Sequence, residues 1–369
     1  MKIKRVISCL LVAVFSMSLL LVQESAQAKI GTVQKILPSE LHVEGRYIYN
    51  AEGEKVRLTG ANIPDLQWAT GGDNDLMKRV GLLCDSWNAN CVRLCVHSKF
   101  WFGQEWYQGK SYGDYRKMVD NVINQITSRG KYVILNLHEA VEVYGNNPGV
   151  IFGLLNEPHD IDWEMWRNGG MLETTDSYGK KTQRVYGHQE ILDMIRNKGA
   201  KNIVIAGGLD WSYYFDGLCD GYNGMEHGYK LEDKTGNGVI YDTHIYPMKP
   251  EYNPVEKAVE CLVDEAPILV GEYGHWGERL FDWYDNYLCE YPHVWMNEIH
   301  DFIDRNELNY TAWSFHTGAN PNMFMDYDTF TPSNYSGIYM KYKMLQEPET
   351  RPEEKDRQYV DPSPLSTWE

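Results

Sequence analysis

Two glutamates stand where packing gives a carboxylate no reason to be. Glu157 ends the run Phe152-Gly153-Leu154-Leu155-Asn156, and Glu272 ends Ile268-Leu269-Val270-Gly271. Each stretch reads as a short, buried parallel strand. A carboxylate at the C-terminal end of such a strand faces the mouth of a barrel, where catalytic groups collect. Two of them on different strands supply what glycosidic bond cleavage needs: a proton donor and a partner for an oxocarbenium-like transition state. His97, His138, His159 and His244 also fall near strand ends, an arrangement that would suit metal-assisted hydrolysis. No His-x-His or His-Glu-x-x-His spacing accompanies them. Paired carboxylates need no metal, so neither a metal nor another cofactor is expected.

The elements that must hold these residues alternate along the chain. Strands are expected around Val56–Gly60, Cys91–Val96, Tyr132–His138, Val150–Asn156, Ile203–Gly207, Val239–His244, Ile268–Glu272 and Tyr310–Phe315. Helical spacing fills several gaps, as in Tyr115–Ser128, Gln189–Lys198 and Trp295–Arg305. Eight strands separated by amphipathic helices predict an α/β fold, a (β/α)8 TIM barrel, over residues 29–345. One connection does not fit the scheme. Only eleven residues separate His138 from Val150, about the least that a parallel crossover with its helix can use. The helix after the third strand is therefore expected to be missing or shortened.

The ends and the composition set the context. Lys2, Lys4 and Arg5, an apolar run to about Val22, and Ala26-Gln27-Ala28 read as a signal peptide over residues 1–28. Residues 346–369, rich in Pro, Glu, Asp, Lys and Arg, read as a polar tail. The expectation is a secreted monomer, extracellular or periplasmic, with no membrane association after cleavage. A net charge of −17 argues against nucleic acid, whose phosphates select basic surfaces. It is compatible with a neutral polysaccharide. Beyond the signal the chain keeps Cys84, Cys91, Cys95, Cys219, Cys261 and Cys289; an even number permits disulfides, and no pairing is assigned.

In order along the chain stand Asn90-Cys91-Val92-Arg93-Leu94, Val133-Ile134-Leu135-Asn136-Leu137-His138, Leu155-Asn156-Glu157-Pro158-His159, Asp242-Thr243-His244-Ile245-Tyr246-Pro247, Val270-Gly271-Glu272-Tyr273-Gly274 and Thr311-Ala312-Trp313-Ser314. With these six motifs the chain resembles glycoside hydrolase family 5, of the clan of (β/α)8 retaining glycosidases, from about Gly45 to Tyr342. The resemblance implies Glu157 as acid/base and Glu272 as nucleophile. It implies that Arg93 helps keep Glu272 ionised and that Asn156 binds the sugar 2-hydroxyl. It places His244 beside the acid/base, Tyr246 with its hydroxyl toward the nucleophile, His138 along the −1 site and Trp313 beneath the −1 sugar. Trp211 and Trp276 follow strand ends, where flat indoles can stack on the apolar faces of pyranose rings. The activity implied is that of a retaining endo-β-1,4-glycanase on a β-linked polysaccharide, foremost an endoglucanase. A β-mannanase or other β-glycanase is the alternative, and so is an inactive sugar-binding relic, because of the short connection.

Overall fold

The computed structural model describes residues 37–64, 66, 75–104, 112–176, 179–224, 226–247, 255–277 and 292–346. The expected signal segment and all but the first residue of the expected tail lie outside them, as do Trp68, Trp106 and Cys289.

The described residues open with a small antiparallel sheet of β1 (Leu41–Glu44), β2 (Tyr47–Asn50) and β3 (Lys55–Val56). Eight parallel strands follow: β4 (Thr59–Ile63), β5 (Cys91–Leu94), β6 (Tyr132–Leu135), β7 (Val150–Gly153), β10 (Val204–Gly207), β11 (Val239–Ile245), β12 (Ile268–Tyr273) and β13 (Asn309–Ala312). They close on themselves in that order, β13 returning to β4 through Tyr310↔Thr59 and Ala312↔Ala61. This is the expected barrel, with one difference at its start. The first barrel strand begins at Thr59 rather than Val56, because Val56 pairs with Ile48 in the small sheet. Gly60 then lies so close to β5 that a Cβ there would meet the Cys91 carbonyl at 1.7 Å.

Alternation along the strands divides the interior into layers. Cys91, Ile134, Ile151, Ile205, Ile240 and Leu269 form an apolar floor, covered from below by Leu41 and Ile48 of the small sheet. The strand faces turned away from it pack beneath amphipathic helices. These include α1 (Leu76–Gly81), α2 (Tyr112–Thr127), α3 (Val141–Tyr144), α4 (Trp163–Asn168), α5 (His188–Asn197), α6 (Pro292–Arg305) and α7 (Gly337–Leu345). On α2 the buried residues Tyr115, Met118, Val119, Val122, Ile123 and Ile126 recur at the spacing of one helical face. On α6, Trp295, Met296, Ile299, Phe302 and Ile303 do the same.

The short crossover is as expected. After β6 the chain makes one 3-10 turn, His138–Ala140, and then the single helical turn α3. Ala140, Val141 and Tyr144 are buried, so this turn covers the strands that a full helix would otherwise shield. Two elements were not anticipated. One is the small sheet; the other is an exposed hairpin, β8 (Gly170–Asp176) with β9 (Gly179–Val185), inserted between α4 and α5. A disulfide joins Cys219 to Cys261. Among the described residues no helix is long and apolar enough to cross a membrane.

Candidate active site

Above the apolar floor the interior becomes polar, and one irregularity sets its geometry. Between β11 and β12, Thr243 pairs with Val270 but His244 pairs with Glu272. Gly271 is thus an extra residue, a β-bulge, and bulges re-aim the side chains beyond them. Strict alternation from Leu269, which faces the floor, would send Glu272 outward. The bulge brings it into the barrel instead, with only 7% of its side chain exposed. Asn62 and Thr311 fix the bulge by donating to the Gly271 carbonyl, from Nδ2 at 2.8 Å and Oγ1 at 2.8 Å.

Arg93 lies opposite, fully buried at the level of the glutamates. Its Nη1 donates to Glu272 Oε1 at 2.8 Å and to Asn62 Oδ1 at 2.6 Å, and its Nη2 donates to Asn156 Oδ1 at 2.5 Å. Asn136 also donates to Asn156 Oδ1, at 3.1 Å. With its oxygen committed to Arg93, the Asn156 amide is oriented so that its NH2 end is left for a ligand. Tyr246 donates its hydroxyl to Glu272 Oε2 at 2.9 Å. Burial and the neighbouring Glu272 charge push the Tyr246 phenol well above its ordinary value, so it remains a donor. Burial opposes the Arg93 charge, but Glu272, Cys95 and Asp242 outweigh it and hold the guanidinium firmly protonated.

His244 links the two glutamates. Its Nδ1 lies 2.7 Å from Glu157 Oε1 and 3.7 Å from Glu272 Oε2. Burial alone would discharge this imidazole. The charges of Glu272 and Asp242, with hydrogen bonds to Asp242 and Glu157, overcome burial and raise it to about 9. For Glu157, burial favours the acid, yet the bond to His244 and the charges of His244, Arg93 and His159 prevail and lower it. One carboxylate is shielded and held by two donors; the other is 29% exposed and shares a proton with a histidine. The reactive atoms of Glu157, His244 and Glu272 all lie within 4.8 Å of one another. Three such donors could grip a cation, but here each is already engaged in hydrogen bonds within the cluster.

The residues expected at the site are distributed unevenly. Glu157, Glu272, Arg93, Asn156, His244 and Tyr246 form one bonded network. His138 stands apart, its Nδ1 2.8 Å from the Leu154 carbonyl at the end of β7. Trp276 packs against Tyr246 with ring centroids 5.4 Å apart. Trp313 donates Nε1 to the Asn320 carbonyl at 3.1 Å. Trp211 is exposed, stacked on His159 at 4.5 Å, in a turn where Asp210, Trp211 and Ser212 all have positive φ. That turn is clamped to the Glu157 loop: the Trp211 amide donates to the Pro158 carbonyl and Ser212 Oγ to the Asn156 carbonyl. By contrast Trp101 and Trp166 are buried and serve packing. Asn62, Asn136, Thr311 and Gly271 carry parts of the network that the sequence reading missed. A polar residue two or three positions beyond a strand glycine, as in Gly60-Ala61-Asn62, is the signal that could have found Asn62.

The sequence profile described as Cellulase (glycosyl hydrolase family 5) matches residues 49–144 and 139–318. The chain belongs to glycosyl hydrolase family 5. The two matched stretches overlap at residues 139–144, in the short crossover. Among characterised proteins it is 22% identical over 303 residues to endoglucanase MaCel5A of Microbulbifer sp. (strain ALW1), covering 76% of this chain and 52% of that one. It is likewise 22% identical over 284 residues to endoglucanase A of Butyrivibrio fibrisolvens, covering 68% and 58%. The chain thus spans little more than half the length of these relatives. Its fold is similar to that of the β-glucanase SdGluc5_26A from Saccharophagus degradans in complex with cellotetraose, with a TM-score of 0.61, 19% identity, and 84% and 95% of the two chains covered. It is also similar to the catalytic domain of Thermobifida fusca endoglucanase Cel5A, with a TM-score of 0.56, 18% identity and coverage of 83% and 97%.

Proposed function

We propose that the protein is a secreted endo-β-1,4-glucan hydrolase that cleaves with retention of anomeric configuration. The observation that carries this is the closeness of the two carboxylates around His244, within 4.8 Å. Retaining enzymes hold their carboxyl groups about 5–5.5 Å apart, whereas inverting ones leave about 6.5–9.5 Å for a water. Glucan as the substrate is supported by the endoglucanase relatives and by the cellotetraose bound to the Saccharophagus neighbour. Secretion is supported by the Cys219–Cys261 disulfide, which belongs to an oxidising compartment.

In the unliganded site the labile proton belongs to the His244–Glu157 pair and resides on the imidazole. A sugar ring that displaces water penalises the ion pair more than its neutral form, and the proton crosses the 2.7 Å bond to Glu157. Glu157 protonates the glycosidic oxygen as the C–O bond breaks. Glu272 then attacks the anomeric carbon, guided by Arg93 and Tyr246, and forms a glycosyl ester. Asn156 holds the 2-hydroxyl, where a hydrogen bond strengthens as the oxocarbenium character develops. In the second half Glu157 takes a proton from water, the hydroxide attacks the ester, and Glu272 is released.

Reducing-sugar release from soluble cellulose, mixed-linkage glucan and mannan, with Glu272→Ala in parallel, tests the assignment. Release from the glucans that disappears in the variant is the expected result, with the β-anomer formed first by NMR. Activity surviving in Glu272→Ala, or an inverted first product, would overturn it.

A further inference from the structure

Asp242 is a buried acid that the reaction above does not use. It shares the inner face of β11 with His244, two residues on, and is only 3% exposed. Its Oδ2 lies 3.3 Å from His244 Nε2 and 4.0 Å from Arg93 Nη2. Its Oδ1 finds no hydrogen-bond partner among the described residues. A buried carboxylate oxygen left unpaired is costly, and the fold makes room for it: a Cβ on Gly271 would come within 2.1 Å of Oδ1. The glycine of the bulge that aims Glu272 is therefore also the residue that admits Asp242.

We propose that Asp242 is a positioning residue for the cleavage, holding the His244 ring with Nε2 bound to its own carboxylate and Nδ1 directed at Glu157 and Glu272. This rests on the retaining mechanism proposed above and deepens it. His244 Nε2 has two neighbours of opposite demand. Arg93 Nη2, at 3.4 Å, can only donate, and would be satisfied by a neutral ring whose Nε2 accepts. Asp242 Oδ2 can only accept, and is satisfied by a ring that carries a proton on Nε2. With Nδ1–H given to Glu157, the choice between neutral ring and imidazolium is the choice between Arg93 and Asp242. Among the described residues, the charged groups facing the ring are Glu157, Glu272, Asp242 and Arg93. Three acids against one guanidinium favour the imidazolium, in accord with the raised value of about 9. An imidazolium there can lend Glu157 its proton and still keep one on Nε2, so the donor stays poised through the first step.

The experiment is a titration of His244 by NMR in the full chain labelled with 15N-histidine, its resonances assigned with His244→Gln. The parent is compared with Asp242→Asn, which keeps the shape and removes the charge. The parent imidazole is expected to hold its proton to near pH 9, and in Asp242→Asn to move down toward the ordinary value of 6.5. The alkaline limb of kcat/KM on a cello-oligosaccharide should move down with it, kcat falling more than KM rises. A parent His244 that is neutral at pH 7, or a titration unmoved in Asp242→Asn, would overturn the proposal. The parent titration alone decides if the variant does not fold. A displaced titration in a protein that hydrolyses no glucan would instead count against the proposed function and leave the role of Asp242 on the ring intact.

Discussion

Arg93 offers the most direct quantitative test of the site, because one buried guanidinium holds three of its members at once. Arg93→Met keeps much of the volume and removes every donor. It breaks three bonds that the guanidinium charge assists, to Glu272 at 2.8 Å, Asn62 at 2.6 Å and Asn156 at 2.5 Å. A hydrogen bond to a charged group is worth about 1.5–3 kcal/mol. Glu272 and Asn156 act on the reacting sugar, so the loss in transition-state stabilisation is roughly 3–6 kcal/mol. At 1.36 kcal/mol per decade this predicts a fall in kcat/KM of about 10²–10⁴. Stability falls as well, by about 3–5 kcal/mol, since Glu272 and Asp242 are left buried without their cation. Arg93→Lys is expected to lie between, because one ammonium cannot span both Glu272 and Asn156. The assay is steady-state hydrolysis of a chromogenic cello-oligosaccharide, alongside urea denaturation to separate folding from chemistry. An Arg93→Met protein that folds and retains kcat/KM within tenfold of the parent would refute the account of the network.

Three other perturbations have definite expectations. His188 is fully buried; burial, with a smaller push from His138, lowers it to about 4 despite the bond from Nδ1 to the Trp166 carbonyl at 2.9 Å. The unfolded chain therefore takes up a proton near pH 6.5 that the folded one refuses. Stability should drop as pH falls from 6.5 to 4, by about 3 kcal/mol at 1.36 kcal/mol per pH unit. In urea titrations His188→Asn should flatten that slope, and parallel slopes would disprove it. Replacing Cys219 and Cys261 by Ala opens a loop with a sequence separation of 42, expected to cost about 2–4 kcal/mol by the chain-entropy model; unchanged urea midpoints would exclude the bond. Trp211→Ala removes an exposed indole beside the Glu157 loop. Loss of one stacking contact, about 0.5–1.5 kcal/mol, should raise KM on long cello-oligosaccharides roughly twofold to tenfold with kcat nearly kept. An unaltered KM would remove Trp211 from the cleft.

The strand pattern and the polar residues at strand ends were legible because they depend on local alternation and on charges that packing does not explain. So was the short crossover, which is a matter of counting between His138 and Val150. Other features depend on partners distant in the chain. The Gly271 bulge exists only as a mismatch of register between β11 and β12, and nothing in the run Ile268–Tyr273 alone marks it. The β8–β9 hairpin escaped because its strands are exposed and show no apolar alternation. Asp242 was visible inside a motif, but its role requires knowing that Arg93 and Asp242 meet at one nitrogen of His244. The pairing of Cys219 with Cys261 likewise follows from proximity in the fold and not from spacing.

The single helical turn between β6 and β7 also has a kinetic meaning. That crossover spans 136–149, while the next shortest connection in the barrel spans 246–267. The difference in loop-closure entropy is small, about 0.4 kcal/mol, but the more local pair has less chain to organise before its contacts form. Folding rates follow the locality of contacts. We expect the β6–β7 pair to be formed earliest, so that Ile134→Val slows folding, whereas Leu269→Val on β12 mainly speeds unfolding. Stopped-flow chevrons of the two variants would show the opposite ranking if the barrel nucleates elsewhere. In a fold whose closure depends on pairing its two distant ends, the shortest arc would then be the place where assembly begins.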